Sequence, residues 1–306
     1  MKLTRREWIR IGAGAGLAAF TGFNAVAAGP VSRIDVTIPS SGIRVPAVGI
    51  GTVKFRGAPG SADMEPLRRT LEAFHRAGGR VVDTSPNYGN SEEVLGQLLT
   101  ASGLREDVFM ATKVDREDAD EGKSRMEGSF ERLGPPIDLM QVHNLRGTEA
   151  QLQTLFEWKA AGRIAHVGIT THRVEQHAEM ERVMRDHPLD FIQVNYSLAD
   201  RAAADRLLPL AREKGIAVLV NRPFGRGRLF DAVDGVELPG WAADIDCTSW
   251  GQVFLKYIIS HPAAMIPIPG TSKPHHAEDN AAAMYGRLPD PAMRAQMERY
   301  FDERIV

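Results

Sequence analysis

Eight short apolar runs alternate with segments of helical periodicity, and this alternation constrains the fold more than any other feature. The runs are rich in Val and Ile, as in RVVDTS (80–85), VFMATKV (108–114) and FIQVNY (191–196). Between them lie segments such as EPLRRTLEAFHRAGG (65–79), in which a leucine or phenylalanine returns to one face every three or four residues. Apolar strands that alternate with helices indicate a parallel sheet covered by helices on its outside.

Eight strand-and-helix units close a (β/α)8 TIM barrel, so we predict an α/β fold of that class. The main alternative is an open doubly wound sheet, which requires a G-x-G-x-x-G turn that opens a helix after its first strand. The stretch GIGTVKFRG at 49–57 does not match that pattern. The stretch 34–49 predicts an N-terminal β-hairpin that plugs the bottom of the barrel. No linker or repeat interrupts the chain, and we predict a single domain over residues 31–306.

The first 28 residues predict a segment separate from this domain. The pair Arg5-Arg6 precedes a Gly- and Ala-rich apolar run, and AVA at 25–27 offers a cleavage site after Ala27. This arrangement resembles a twin-arginine export signal, which implies the export machinery as a partner and a periplasmic location. The alternative is an amphipathic or membrane-anchoring helix. Because the apolar run is short and Gly-rich, we expect no stable membrane anchor.

Composition argues against several other classes of function. The 37 Lys and Arg residues nearly balance the 39 Asp and Glu residues, and a formal net charge of -2 gives no electrostatic case for nucleic acid as a partner. The single Cys247 cannot form an intramolecular disulfide, and no Cys/His cluster has the spacing of a zinc site. We therefore predict no metal site and a fold held together by packing.

Polar side chains end three consecutive strands. Asp83 ends the second predicted barrel strand, Lys113 the third and His143 the fourth, while Tyr88 lies in the loop after the second. Each residue alone has an ordinary structural explanation, such as a helix cap, a surface lysine or a core histidine. Because the carboxyl ends of barrel strands share one rim, we predict that these four side chains converge on a catalytic site.

The chemistry of these four residues is coherent. A tyrosine is protonated at neutral pH, and a nearby ammonium favours its phenolate and makes it a better proton donor. A buried Lys113 needs a counter-ion, which Asp83 is placed to supply. His143 can orient a carbonyl oxygen beside the phenol of Tyr88. This arrangement serves proton donation to an oxygen while hydride reaches the carbon, and a nicotinamide must supply that hydride.

The motif Asp83-x-Ser85-x-x-Tyr88-Gly89-x-x-Glu92, followed by ATK ending on Lys113 and VHN containing His143, resembles the aldo-keto reductase superfamily. The resemblance covers about residues 34–290. It implies Tyr88 as general acid, Lys113 and Asp83 as the pair that tunes it, and His143 as the group that orients a small-molecule carbonyl substrate. It also implies NADP(H) as the usual cofactor, with NAD(H) as the alternative.

The resemblance further implies that the cofactor lies extended across the strand ends. Gly51 and Thr52 would lie under the nicotinamide side, Gln193 would hold the carboxamide, and the segment after the eighth strand would hold the adenosine phosphate. The expected cofactor-binding set is Gly51, Thr52, Thr170, Thr171, Gln193, Asn221, Arg222, Pro223, Phe224, Gly225, Thr271, Ser272, Lys273, Asp279 and Asn280.

The chain departs from the family pattern at three places. Thr170-Thr171 stands where a Ser-Asn pair is usual, and Thr171 lacks the paired donor and acceptor of an amide. Asn221-Arg222 stands where many members stack a tyrosine on the nicotinamide, so Arg222 would either stack or reach a phosphate. His276 replaces an arginine common near the 2′-phosphate, which leaves Lys273 as the phosphate ligand that favours NADP over NAD.

Two other functions remain open from the sequence. The first is a catalytically idle NADP-binding or regulatory module of the same fold. The second is a Schiff-base lyase that uses Lys113. The substrate is not specified by the sequence. The long connection 224–245 is expected to border the site, and Phe55, Phe224, Phe230 and Trp241 are either an apolar lining of the pocket or ordinary packing.

Overall fold

The computed structural model describes residues 32–58 and 60–304. The segment expected to be an export signal, 1–28, lies outside these residues. Within the described residues the strands are β1 (Asp35–Thr37), β2 (Arg44–Pro46), β3 (Gly49–Gly51), β4 (Val81–Asp83), β5 (Phe109–Val114), β6 (Ile137–Val142), β7 (Ile164–Thr170), β8 (Phe191–Asn195), β9 (Ala217–Asn221) and β10 (Met265–Pro267).

Strands β3 to β10 form one eight-stranded sheet in sequential order, and every neighbouring pair is parallel. A parallel bridge between Gly51 and Gly270 joins its two edges, supported by a bond of 3.2 Å from the amide of Gly51 to the carbonyl of Pro269. A Cβ on Gly51 would lie 3.0 Å from the carbonyl oxygen of Ile268. A glycine therefore allows the edges to meet, and the predicted (β/α)8 barrel is confirmed.

Strands β1 and β2 pair antiparallel and form the predicted hairpin. Ile38, at the hairpin turn, and Val45 are buried in the same apolar cluster as Phe109 and Phe191 from the strands of the barrel. His166 of β7 lies in this layer, within 3.0 Å of the hydroxyl of Ser41. The hairpin thus closes the barrel at the end where the strands begin, and the site has to form at the opposite end.

The helices cover the outside of the barrel and follow the strands in regular alternation. Their bounds are α1 (Met64–Arg76), α2 (Ser91–Ala101), α3 (Ala119–Leu133), α4 (Thr148–Ala160), α5 (His177–Asp186), α6 (Leu207–Lys214), α7 (Arg228–Asp231), α8 (Trp250–Ile259), α9 (Pro274–Ala282) and α10 (Pro291–Asp302). No helix among the described residues has the length and apolar character needed to cross a membrane.

Glycines in the left-handed conformation lie at the ends of several helices. Gly78 follows α1 with φ +94°, Gly162 follows α4 with φ +72° and Gly215 ends α6 with φ +66°. These left-handed conformations suit glycine because it has no Cβ to collide with the backbone. The turn residues therefore set the helix lengths, and each chain segment returns to the bottom of the barrel to begin the next strand.

Inward-facing side chains change character along each strand. Near the strand starts they are apolar, as in Phe109, Leu139 and Phe191. Two residues further along β6 and β8 they are the amides Gln141 and Gln193. Since side chains alternate between the two faces of a strand, positions two apart share a face. The barrel interior is therefore apolar at the hairpin end and polar toward the rim.

The long connection between β9 and α8 carries α7, and its aromatic residues contact α8 and α10. The ring of Phe224 lies 4.9 Å from that of Phe230, and Phe230 lies 5.3 Å from Phe254 of α8. Trp241 makes an edge contact with Tyr300 of α10 at 6.0 Å. Phe55 is fully buried. Of the two interpretations left open for these aromatic residues, packing therefore accounts for their contacts.

Candidate active site

The ion pair between Lys113 and Asp83 lies at the centre of the rim. Lys113 Nζ is 2.8 Å from Asp83 Oδ1 and 2.7 Å from Oδ2, and it also donates to the carbonyl of Thr84 at 2.7 Å. Both residues are buried. Burial is the largest single influence and lowers the pKa of Lys113, but Asp83 and Tyr88 together outweigh it and raise this pKa above the ordinary 10.5. Lys113 is therefore an ammonium at neutral pH.

Two glutamines complete the environment of Asp83. Gln141 Nε2 donates to Asp83 Oδ1 at 3.4 Å, and Gln193 Nε2 donates to Oδ2 at 3.3 Å. Gln141 was not among the residues expected at the site. Gln141 lies on β6, two positions before His143. Since positions two apart on a strand share a face, its position in the sequence indicated a side chain inside the barrel. Three side chains thus hold the carboxyl group of Asp83 in place through four hydrogen bonds.

Tyr88 lies in the turn after β4, close above Lys113. Lys113 Nζ is 5.4 Å from the centroid of the Tyr88 ring. Burial raises the pKa of Tyr88 above the ordinary 10.0, while the charge of Lys113 acts in the opposite direction. Lys113 thus acts on the phenol in the expected sense, but burial outweighs it in the net shift. Tyr88 keeps its proton at neutral pH and has a cation beside it.

His143 lies next to Tyr88, with the two rings nearly perpendicular and their centroids 6.3 Å apart. Its Nδ1 is 3.2 Å from the hydroxyl of Ser85, a residue quoted in the sequence motif but given no role there. Burial and then the charge of Lys113 lower the pKa of His143 from 6.5 to about 3. The imidazole is therefore neutral at physiological pH. In the tautomer in which the Ser85 hydroxyl donates to Nδ1, the ring proton is on Nε2, which is then the donor available to a substrate.

The turn that carries Tyr88 is tied to the segment after β5. Asn87 Nδ2 donates to Asp115 Oδ2 at 2.5 Å, and Asn87 Oδ1 accepts from Arg125 at 2.9 Å. Asp115 is itself bound by Arg116 at 2.8 Å. No sequence pattern indicated this network, because it depends on the conformations of two loops. It fixes the backbone directly before Tyr88.

The threonines after β7 form bonds within the protein. Thr170 Oγ1 accepts from the amide of Asn144 at 3.1 Å, and Thr171 Oγ1 donates to Gln176 Oε1 at 2.5 Å. Gln176 in turn donates to the carbonyl of Asn144 at 3.2 Å. Thr170 and Thr171 therefore connect the loop after β7 to the loop that carries His143. This is a structural contribution independent of any cofactor contact.

Three buried amide oxygens near the strand ends have no hydrogen-bond partner among the described residues, Gln141 Oε1, Gln193 Oε1 and Asn195 Oδ1. Gln193 also donates to Asn221 Oδ1 at 2.7 Å. A buried acceptor without a partner is costly, and a bound ligand with N–H donors would satisfy it. Gln193 and Asn221 lie together at the rim, as expected for the nicotinamide side of a cofactor site.

Gly51 and Thr52 lie at the seam between β3 and β10. Thr52 is fully buried, and its hydroxyl donates to the carbonyl of Asp83 at 3.0 Å. Its carbonyl accepts from the hydroxyl of Ser91 at 2.9 Å. The Thr52 side chain thus supports the end of β4. Of this pair, only Gly51 is partly exposed at the strand ends.

The segment after β9 contains a residue in an unusual conformation. Arg222 has φ +49°, and its guanidinium reaches the carbonyl of His172 at 3.5 Å. Pro223, Phe224 and Gly225 follow, and Gly225 has φ +58°. The positive φ values turn the chain sharply at the rim. Arg222 remains at the strand end beside Asn221, where the sequence analysis expected a cofactor contact.

The segment after β10 enters α9. The amide of Lys273 donates to Thr271 Oγ1 at 3.1 Å, while Ser272 is half-buried and the Lys273 side chain is exposed. Pro274 begins α9, which leaves the first amides of the helix without partners inside it. These residues have the chemistry of an anion site.

The two residues expected near the adenine lie further along α9. Asp279 accepts from Ser249 at 2.8 Å and from Gln252 at 2.7 Å, and Asn280 is buried. Both carboxylate oxygens of Asp279 therefore connect α9 to the start of α8. These bonds fix the position of α9 whether or not a cofactor is bound.

Positive charge is concentrated around the rim. Six basic residues there form no ion pair with any residue that the structure describes: Lys54, Arg56, Arg173, Arg222, Arg226 and Lys273. The chain as a whole has a net charge of -2, so this excess is local. No cluster of His, Cys, Asp and Glu suited to a metal occurs in residues 32–58 and 60–304. The rim is thus suited to a polyanionic ligand.

Known proteins share this architecture. The model of the Aldo/keto reductase family matches residues 47–298. The aldo-keto reductase str7 of Strobilurus tenacellus is 28% identical over 309 residues, covering 87% of this chain and 90% of that protein. The NADH-specific methylglyoxal reductase of Escherichia coli (strain K12) is 28% identical over 245 residues, covering 70% and 72%.

A solved structure has the same fold. The crystal structure of an aldo/keto reductase from Klebsiella pneumoniae in complex with NADP and acetate superposes with a TM-score of 0.72 at 25% identity, covering 88% of this chain and 96% of that one. The family match contains all eight barrel strands and the residues Asp83, Tyr88, Lys113 and His143. The chain therefore belongs to the aldo/keto reductase family and is an oxidoreductase.

Proposed function

We propose that this protein is an NADP(H)-dependent reductase that converts an aldehyde or ketone to an alcohol, with Tyr88 as the general acid. The observation that carries the proposal is the buried ion pair of Lys113 and Asp83 directly beneath the phenol of Tyr88. A desolvated ion pair is costly to maintain, and here it positions a cation beside a tyrosine that has kept its proton.

The proton chemistry follows from the three side chains. The phenol of Tyr88 donates its proton to the carbonyl oxygen of the substrate, and the positive charge of Lys113 stabilises the phenolate that remains. The neutral imidazole of His143 donates from Nε2 to the same oxygen and orients it without adding a second cation. When bound, NADPH supplies the hydride that the carbonyl carbon receives.

The residues at the rim fit a nicotinamide dinucleotide. The unpartnered oxygens of Gln193 and Asn195 suit the N–H donors of a carboxamide. The unpaired Arg222 suits its diphosphate, and Thr271, Ser272 and Lys273 suit the phosphate at the adenosine end. The E. coli relative is NADH-specific and the Klebsiella structure contains NADP. We favour NADP because Lys273 offers an exposed cation for a 2′-phosphate.

The two alternatives predict different chemistry. A Schiff-base lyase needs a neutral lysine as nucleophile, whereas the carboxylate of Asp83 raises the pKa of Lys113 and keeps it protonated. An idle NADP-binding module has no need for the set of Asp83, Tyr88, Lys113 and His143. The set therefore favours an active reductase over both alternatives.

The decisive test follows NADPH and NADH oxidation with a panel of aldehydes and ketones, together with direct titration of cofactor binding. We expect turnover with NADPH and a clear loss in Tyr88→Phe. Tight binding of NADPH without turnover of any carbonyl compound would instead identify an idle module. Borohydride reduction in the presence of an aldehyde, followed by mass spectrometry, labels Lys113 only in the lyase.

We also propose that the protein is exported to the periplasm through the twin-arginine pathway. The support is the Arg5-Arg6 pair, the short apolar run and the small residues before Ala28. In a bacterial host, the unaltered chain should appear in the periplasmic fraction with an N-terminus near Ala28. Replacing Arg5 and Arg6 by lysine should keep it in the cytoplasm, and periplasmic accumulation of that variant would contradict the proposal.

A further inference from the structure

A cavity opens directly beside His143, among the loops after β4, β5, β6 and β7. Its volume is about 380 Å³, near the lower end of the range of roughly 300–1,000 Å³ for small-molecule pockets. Eight of its nine lining residues are polar, and Leu145 is the exception. Two aromatic residues expected near the site do not line this cavity, because Phe224 packs on Phe230 and Trp241 on Tyr300. This cavity suits a small hydrophilic molecule.

The acidic residues of the cavity are each paired with a base. Asp115 Oδ1 is bound by Arg116 at 2.8 Å and lies 3.6 Å from Arg125, and its Oδ2 accepts from Asn87 at 2.5 Å. Glu117 is bound by Arg146 at 3.0 Å. Neither carboxylate therefore presents a free negative charge to a molecule inside the cavity.

Arg173 differs from these arginines. Its side chain lines the same cavity as His143, yet it makes no hydrogen bond or ion pair with any residue in the described part of the chain. Other arginines lie close by, because Arg222, Arg173 and Arg226 all lower the pKa of the neighbouring His172, after burial. The cavity therefore has one unopposed guanidinium, and a guanidinium forms paired hydrogen bonds with a carboxylate or a phosphate.

We propose that the physiological substrate is a small hydrophilic aldehyde or ketone that carries an anionic group, a carboxylate or a phosphate, and that Arg173 binds this group. The inference rests on the proposed function, since it assigns the substrate of the same site. The carbonyl oxygen lies against Tyr88 and His143, and the anionic end extends along the cavity to Arg173. Arg173 is thus a specificity-determining residue that does not take part in the chemical step.

The test compares matched pairs of substrates with purified protein and NADPH. Succinic semialdehyde is compared with its methyl ester, and glyceraldehyde 3-phosphate with glyceraldehyde. We expect kcat/KM to be at least ~10-fold higher for the charged member of one pair, mainly through KM, and the pair that shows it separates carboxylate from phosphate. The preference should shrink as ionic strength rises, because salt screens exposed charges.

Variants test whether Arg173 is the residue that causes the preference for the charged substrate. Arg173→Gln should remove it while leaving kcat/KM for the uncharged member within about twofold, and Arg173→Lys should restore part of it, since a lysine keeps the charge without the paired donors. Arg44→Gln removes an equal charge from the hairpin at the opposite end of the barrel and should leave the preference unchanged. An effect in Arg44→Gln as large as in Arg173→Gln would mean that net charge, and not Arg173, governs the preference.

The outcomes separate this inference from the proposed function. Turnover of all four compounds without preference for the charged member overturns the inference and leaves the reductase intact. A preference that persists in Arg173→Gln also overturns it, because another residue then binds the anion. No turnover of any carbonyl compound, with cofactor bound, overturns the proposed function and the inference with it.

Discussion

Lys113 and Asp83 form an ion pair of 2.7 Å in which each side chain is only 2% exposed. Their attraction offsets the desolvation of both charges only while both are present. Replacing Lys113 with methionine leaves Asp83 as an uncompensated buried carboxylate. We expect Lys113→Met to lower the free energy of unfolding by about 3–5 kcal/mol, measured by chemical denaturation.

The double variant Asp83→Leu/Lys113→Met is the control for that prediction. It removes both charges and should be more stable than Lys113→Met, although it will be inactive. Equal destabilisation in the single and double variants would show that lost packing, and not the unpaired carboxylate, is the cause. The pH dependence of any residual activity in Lys113→Met is also informative. Since the charge of Lys113 lowers the pKa of Tyr88, its loss should move the alkaline decline in reduction to higher pH.

Tyr88→Phe tests the general acid. The substitution keeps the ring and removes the proton, so reduction should slow by ~10² or more while the Kd for NADPH stays nearly unchanged. Stopped-flow mixing of the enzyme–NADPH complex with an aldehyde measures the chemical step directly. Asn87→Ala is a useful comparison, because it loosens the turn through the bond to Asp115 without removing the phenol. An unchanged rate in Tyr88→Phe removes Tyr88 from this role.

The sequence predicted the parts of this site that depend on strand order. Asp83, Lys113 and His143 end consecutive strands, and the geometry of a parallel barrel brings consecutive strand ends together. The hairpin plug was also predictable from the order of the strands. A strand pair that comes before the first barrel strand lies near the end of the barrel where the strands begin and can cover that end. The barrel itself followed from the count of eight units.

Contacts made by loops could not be predicted in this way. The bond of Asn87 to Asp115 and the packing of Phe224 on Phe230 depend on backbone conformations that no periodic pattern encodes. Gln141 is an intermediate case. The alternation of side chains along β6 indicated that Gln141 faces the interior, but its bond to Asp83 could be seen only in the structure. The bond of the Thr171 hydroxyl to Gln176 likewise depends on the conformation of the loop after β7.

Gln193 and Gln141 offer a matched pair for testing the cofactor site. Both donate to Asp83 from inside the barrel, but Gln193 lies on β8, directly beside the strand of Asn221, whereas Gln141 lies on β6. If Gln193 binds the nicotinamide carboxamide, Gln193→Leu should raise the Kd for NADPH about tenfold, as expected for a lost hydrogen bond and an unmatched amide. Gln141→Leu should leave this Kd within about twofold. Similar losses in both variants, measured by fluorescence titration, would indicate an indirect effect through Asp83.

Lys273 tests the cofactor preference. Its exposed ammonium lies at the start of α9 beside Thr271 and Ser272, and we expect it to bind the 2′-phosphate that distinguishes NADPH from NADH. Lys273→Ala should raise KM for NADPH about tenfold and leave KM for NADH nearly unchanged. His276→Ala is the matched control on the same helix. Equal losses for NADPH and NADH in Lys273→Ala would mean that the lysine binds a phosphate common to both cofactors.

The lowered pKa of His143 predicts how stability depends on pH. Its pKa is about 3 in the folded protein against an ordinary 6.5, so between these values the unfolded chain binds a proton that the folded chain does not. Stability should therefore fall as pH drops below about 6.5, by up to about 1.4 kcal/mol per pH unit for this group. His143→Gln, which removes the titrating group, should flatten the acid limb by that amount. NMR of the imidazole provides the direct check, because a neutral ring gives an unchanged signal from about pH 8 to 5. A titration of His143 within that range would contradict its assignment as a neutral hydrogen-bond donor.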